Sequence, residues 1–270
     1  MARSKRSFID RTFRQMDLAF WCLHEHLPQL AVLALPTVAA AASLAAIIAI
    51  VIRTWELPIV INFGLYGVVY PVAALSIVTL GPVPCAVFAW HRAAGRVVTP
   101  RECFEHCNAR ARRLIPLGLR LLLCYFFWFL LAGIPMLFLW PRTCLAPLVA
   151  LFENDRRIFA RCRRLLKEEN TVYVLAGLYT LLSISLGFLI AIPRLLLLAR
   201  ITQAPWTRPV QNYLWAFEFL SGTVLVAGMA VSWCLSLTFL YFDIRRTREG
   251  DELREKIRIM REKFSGALSV

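Results

Sequence analysis

The chain has 270 residues, 59% of them hydrophobic, and a formal net charge of +14. Its mean hydropathy of +0.61 and its long apolar runs exclude a soluble domain of this size, so the expected fold class is all-α, a polytopic helical membrane protein. The basic residues fall in blocks between the apolar runs and hold few aromatics to stack bases, which argues against nucleic acid and for anionic inner-leaflet headgroups as partners.

The first block carries Arg3, Lys5, Arg6, Arg11 and Arg14, and no short apolar segment with a small-residue cleavage site follows it. The start is therefore expected to remain as an uncleaved anchor. Ile9, Phe13, Met16, Phe20 and Leu23 recur at alternating four and three residues, which puts them on one face of an amphipathic helix lying in the membrane interface. The first span is expected at about 30–52, with Pro28 and Pro36 near its start, and the second at about 58–80. Gly81-Pro82-Val83-Pro84 then bends the chain, and residues 85–98 are expected to run as a helix along the cytoplasmic surface. The second block holds Arg92, Arg96, Arg101, Arg110, Arg112 and Arg113. Within it Thr99-Pro100-Arg101-Glu102 predicts a helix start: a Thr cap, Pro in the first turn and an acid just inside.

Leu114 to Phe152 is the stretch that fixes the number of crossings. As one helix its thirty-nine residues would span about 58 Å, roughly twice a hydrocarbon core. A single crossing would also put the third and fourth basic blocks, Arg156–Lys167 and Arg245–Lys263, on the outer side. Two crossings return all four blocks, of five, six, six and eight Lys and Arg residues, to the cytoplasm. The third and fourth spans are then about 114–131 and 134–152, turning near Ala132-Gly133-Ile134-Pro135. The fifth runs about 171–193, with Asn170 at its cap, and the sixth about 213–241, where Gly222, Gly228, Ser221 and Ser232 are expected to allow close helix contact. Arg194–Val210 is the outer connection, anchored by Trp206. After Gly250 the tail is expected to be helical, with Leu253, Ile257, Met260 and Phe264 on one stripe. These are six spans in one domain, 1–270, with amphipathic terminal helices and both termini cytoplasmic.

Two stretches carry a resemblance. Ala146, Pro147, Glu153, Ala160 and Arg161, with Cys162 where Ser is usual, form the first; Tyr241, Asp243, Arg245, Glu249 and Gly250 form the second. Together they resemble the prokaryotic six-helix membrane domain found alone or fused to glycerophosphodiester phosphodiesterases, and allied bacterial membrane proteins. The resemblance covers about the last 150 residues and implies an inner-membrane domain without an established chemical activity. No soluble segment is long enough for the phosphodiesterase barrel itself.

Few polar residues lie inside the spans. Arg142, eleven residues before Glu153, would sit near the midplane if the fourth span is a continuous helix. It would then either satisfy carbonyls freed by Pro135, Pro141 and Pro147 or attract an anion. If Pro135 and Pro141 break the span, it reaches the outer surface instead. Glu218 is the one acid inside a span, and Arg194 or Arg200 at the outer interface is its better partner. Arg120 can snorkel back to the cytoplasm and receives no function. The cysteines, Cys22, Cys85, Cys103, Cys107, Cys124, Cys144, Cys162 and Cys234, lie outside the expected outer loops, so no disulfide framework is implied. Cys103, His106 and Cys107, with His91, lack the second paired cluster a zinc site needs. No metal, cofactor or catalytic constellation is therefore expected. The reading is a non-enzymatic inner-membrane scaffold or accessory subunit that meets lipids, and a partner protein, through its terminal helices. A transporter or channel lined by Arg142 is the alternative, and a lipid-active enzyme component a further one.

Overall fold

The computed structural model describes residues 8–55, 79–130, 140–153, 155, 157–167, 170–200 and 207–267. Nine helices are found among them: α1 (Phe8–Glu25), α2 (Leu27–Trp55), α3 (Val83–Ala93), α4 (Pro100–Ala109), α5 (Ala111–Leu130), α6 (Ala146–Phe152), α7 (Ile158–Leu166), α8 (Thr171–Arg200) and α9 (Thr207–Ala267). No strand occurs among the described residues. Most of the expected second span and the turn at 132–135 lie outside them.

Among the described residues two helical stretches are long and apolar enough to cross a membrane, Thr171–Ile192 and Leu220–Thr247. A bent pair, Ile9–Glu25 with Leu27–Ala40, makes a third if it is counted as one span; its halves meet at 99°. Backbone bonds from His26 N–H to the Cys22 carbonyl and from Leu30 N–H to the His26 carbonyl cross this bend. In α1 the buried positions are Thr12, Gln15, Ala19 and Cys22, while Ile9, Phe13 and Phe20 of the apolar stripe are exposed. That arrangement is inside out for water. It suits a helix whose outer face meets something apolar.

Sixty-one residues of unbroken α9 extend about 92 Å, far more than one crossing requires. It is the post on which α1, α2, α3, α7 and α8 pack. The core gathers around its middle, where Val231, Trp233, Leu235, Leu240, Tyr241 and Ile244 are buried. Beyond that level the apolar surface is bare. Only 17% of the apolar window of Thr171–Ile192 is buried, against 56% for Leu220–Thr247.

Of the helix expected over residues 85–98, the structure forms Val83–Ala93 and packs it into the core. Cys85, Ala86, Val87, Phe88 and Ala89 are all buried, because small side chains let α3 wedge between α2, α4 and α9. Gly95 ends it at φ +71°, where only glycine is unstrained. Its amide bonds the Arg92 carbonyl and the Arg96 amide bonds the His91 carbonyl, the paired geometry of a Schellman close. At the other end the proline break leaves the Pro82 carbonyl inside the protein. The Cys85 amide and the Cys234 thiol both donate to it, at 2.8 and 3.2 Å. The expected cap of α4 is present as a full capping box, with Glu102 N–H on Thr99 Oγ1 and Thr99 N–H on Glu102 Oε2.

At the head of α8, Asn170 holds the cap position, its carbonyl accepting from Tyr173 and Val174 N–H. The helix then continues past Pro193 to Arg200, so the first part of the expected outer connection, 194–200, is helical. The leucine run at 195–198 favours helix, and apolar surroundings penalise any backbone that leaves its own ladder. A correction concerns Gly222 and Gly228: a methyl group at either would meet nothing within 4 Å, so neither mediates a close helix approach. Ser232, expected at the same contact, is in it: the Tyr179 hydroxyl of α8 lies 2.6 Å from Ser232 Oγ and 2.8 Å from Ser236 Oγ. Between helices in lipid no hydrophobic drive remains, so such bonds, worth about 0.6–1.7 kcal/mol each, help decide the pairing. Tyr179→Phe is therefore expected to lower stability in detergent by about 1–2 kcal/mol, whereas Gly228→Ala leaves it unchanged or slightly raised. Thermal unfolding of the two variants side by side measures this.

Candidate functional site: the polar junction around Glu153

At Glu153 the chain leaves α6 in an extended conformation, φ −116° and ψ 155°, which ends the helix on an acidic side chain. Both carboxylate oxygens are taken. Arg161 of α7 donates Nε–H to Oε2 at 2.7 Å and Nη2–H to Oε1 at 3.3 Å. Tyr241 of α9 donates its hydroxyl to Oε1 at 2.7 Å. The Glu153 carbonyl accepts from Arg113 Nη1 of α5 at 3.1 Å. Four helices thus meet on one residue.

Beneath it Phe152 stacks on Tyr241 with ring centres 6.0 Å apart, and it also touches Trp90 and Phe242. The side chains of Glu153 and Arg161 are only 10% and 22% exposed. A pair this buried is costly to break, about 3–5 kcal/mol, because the survivor becomes an uncompensated charge. Asp243, two residues past Tyr241, accepts from Arg11 Nε at 2.7 Å and so ties α1 to α9. With side-chain exposures of 27% and 36% that bridge is worth no more than about 1 kcal/mol. The strong tether is Glu153–Arg161; Arg11–Asp243 fixes direction.

Of the residues singled out in sequence, Glu153, Arg161 and Asp243 lie in this junction, with Tyr241 between them. Arg245 stands one turn beyond Tyr241, half-buried and engaged. Gly250 is helical with open space around it. Glu218 and Glu249 are on the α9 backbone, but their side chains lie outside the described residues. Arg113 and Arg11 carried no signal of their own, since their partners are 40 and 232 residues away.

Arg142 differs most from expectation. The continuous helix assumed for its depth is interrupted by a turn at Cys144–Leu145, and α6 has only seven residues. Its side chain is exposed and donates Nε–H to the Tyr173 hydroxyl at 2.8 Å. Tyr173 is the third residue of α8, so Arg142 sits beside an end of the Thr171–Ile192 stretch and not at its middle. Among the described residues, the carbonyls beside Pro141 are met by their own neighbours, while the break expected at Pro135 lies outside those residues. Thr143 Oγ1 donates to the Trp140 carbonyl at 3.1 Å and the Cys144 thiol to the Pro141 carbonyl at 2.9 Å.

All eight cysteines are free thiols. Among the described residues no group of three or more His, Cys, Asp or Glu is placed to hold a metal. Burial pushes Cys103 up to about 11 and Cys107 to about 12. Desolvation lowers His106, with the charges of Arg110 and His91 adding to it. Cys162, which stands where the resembling family has Ser, is pushed up to about 12 by burial and then by the Glu153 charge. These thiols are packing groups and weak donors. Compared with known proteins, the chain matches no family model, no curated protein and no solved structure.

Glu153→Ala is expected to cost about 3 kcal/mol or more, and Tyr241→Phe about 1.5 kcal/mol, as the loss of one bond to a charged acceptor. A Glu153/Arg161 double-mutant cycle read by unfolding in detergent should return a coupling of the same sign; zero coupling would show that the pair does not tether α6 to α7. For the thiols, folded values above the unfolded 9.0 mean that the folded state holds its protons longer. Their contribution to stability is full below pH 9 and lost as the pH rises towards 11–12. Alkylation of Cys103 and Cys107 at pH 8 should accordingly be at least tenfold slower in the native protein than in denaturant.

Proposed function

We propose that the chain is a six-span integral protein of the inner membrane, with both termini cytoplasmic, acting as a non-enzymatic, lipid-associated scaffold or accessory subunit. The carrying observation is that apolar side chains face outward along α5, whose charged start is held at Glu153, and along α8. Ile115, Leu119, Leu123 and Phe127 of α5, with Leu181, Ile184, Phe188 and Ile192 of α8, are all exposed. Hydrocarbon is the environment in which such surfaces are stable. The four basic blocks supply the sidedness, and the Glu153 junction joins members of the second, third and fourth of them, or their immediate neighbours.

The same junction supports kinship with the membrane domains that accompany glycerophosphodiester phosphodiesterases. The two stretches that carry the resemblance meet there, Glu153 and Arg161 from one and Tyr241 from the other. A carboxylate with both oxygens engaged by a guanidinium and a phenol is a poor general base, which favours a holding role over catalysis. The alternative, a transporter or channel lined by Arg142, has less support from the bond that Arg142 makes to Tyr173 at the head of α8.

The test combines sidedness with chemistry. Cysteines introduced at Arg157 and Arg246, in a background whose own thiols are replaced, should react with an impermeant maleimide only after the inner face is opened. The purified protein should release no product from glycerophosphodiesters above a blank. Labelling of both sites from outside would overturn the topology, and turnover abolished by Glu153→Gln would overturn the non-enzymatic role.

A further inference from the structure

Between the start of α5 and the start of α7 lies a cavity of about 510 Å³, within the size range of small-ligand sites. Its wall is of two kinds. Arg112, Arg113, Arg120 and Arg157 bring four guanidinium groups, against the single carboxylate of Asp155. Pro116, Leu117, Ile158 and Phe159 supply apolar surface between them. Among the described residues, four cations and one anion leave a net charge of +3 around one opening.

The sequence builds this arrangement simply. Arg113, Pro116, Leu117 and Arg120 follow the i, i+3, i+4, i+7 pattern and so share one face of α5. Arg112 and Arg120 are eight residues apart, about 12 Å along the axis. The cations are therefore ranged in depth, from the helix start into its apolar part. Across the gap, Arg157 is the cap residue of α7 and provides no side-chain cap for its first amides. The positive end of that helix adds to the same field. Asp155 Oδ1 accepts from the Arg157 amide at 2.8 Å, which shapes the loop and engages the one opposing charge. Arg113 reaches the Glu153 carbonyl, so the cavity is built directly against the junction that holds α5, α6, α7 and α9 together.

We propose that this cavity binds the phosphate of an anionic phospholipid, with Arg112, Arg120 and Arg157 as its ligands and the apolar wall receiving the first part of the acyl chain. Guanidinium groups bind phosphate oxygens in pairs, in a geometry a lysine cannot reproduce. A soluble phosphate would use the cations alone. The lipid is preferred because charge and apolar surface alternate in one cavity, beside the exposed Ile115 and Leu119 of the same helix. Arg120, which snorkelling alone would leave without a role, becomes the deepest of the three ligands. The inference rests on the lipid-associated reading above and names the lipid chemistry and the place.

The experiment uses the full chain in a neutral detergent. Short-chain phosphatidylglycerol is titrated in, with short-chain phosphatidylcholine and inorganic phosphate as comparisons, and bound molecules are counted by native mass spectrometry. One saturable phosphatidylglycerol is expected, held at least tenfold more tightly than either comparison. Arg120→Gln with Arg157→Gln should weaken it at least tenfold, and Ala160→Trp, which fills the cavity without touching its charge, should do the same. Arg163→Gln with Arg246→Gln, an equal loss of charge outside the cavity, should leave binding and unfolding temperature unchanged. Equal weakening by both double variants would reduce the effect to general charge and overturn the proposal. Inorganic phosphate binding as tightly as the lipid would overturn the lipid in favour of a soluble phosphate ester. Binding in detergent does not depend on sidedness, so failure of this site and failure of the proposed topology are separately visible.

Discussion

The carboxylate of Glu153 is the fixed point of this protein. Its two oxygens are held by Arg161 and Tyr241 while the backbone carbonyl of the same residue receives Arg113, so the ends of α5, α6 and α7 meet the middle of α9 at one residue. Helices surrounded by hydrocarbon gain little from hiding apolar faces against each other. A desolvated charge pair at their common end therefore has disproportionate leverage over how they are placed. Phe152 and its aromatic neighbours keep water from that pair and so keep it strong.

A second theme is how broken backbone is satisfied. Prolines at 82, 84, 141 and 147 lie at or beside the starts and breaks of helices. The freed carbonyls are met by small side chains close at hand: Cys234 on Pro82, Cys144 on Pro141 and Thr143 on Trp140. Thiols are weak donors, but they pack like apolar groups and so cost little where they are not bonded. This gives a physical reason for eight cysteines in a chain whose thiols are all free.

Charge is used in two ways that exposure separates. Arg161 is spent inside, on a carboxylate that needs it, and its energy is structural. Arg112, Arg120 and Arg157 are exposed around a cavity, where their charge is available to an outside anion. The two sets are adjacent because Glu153 and Asp155 begin the short link between α6 and α7. A lipid held in that cavity would therefore bear directly on the link that the Glu153 junction anchors.

Sequence alone determined the properties that depend on neighbours along the chain. The all-helical class, the Thr99 capping box and the start of α8 after Asn170 follow from local pattern, because caps and periodicity are set within a turn or two. The motif residues Glu153, Arg161 and Tyr241 were also legible, though only as residues of interest and not as partners. Tertiary structure decided the rest. That α3 lies in the core depended on the space left by α2, α4 and α9, which no hydropathy average of residues 85–98 records. That Arg142 lies beside Tyr173 depended on a turn at Cys144–Leu145, which a count of helical residues back from Glu153 does not include. Gly222 and Gly228 looked like contact residues and face open space, while Tyr179, an ordinary aromatic in sequence, makes the contact. Period and composition state which face of a helix is apolar; only the packed chain states which face is covered, because covering requires a partner that arrives from far along the sequence.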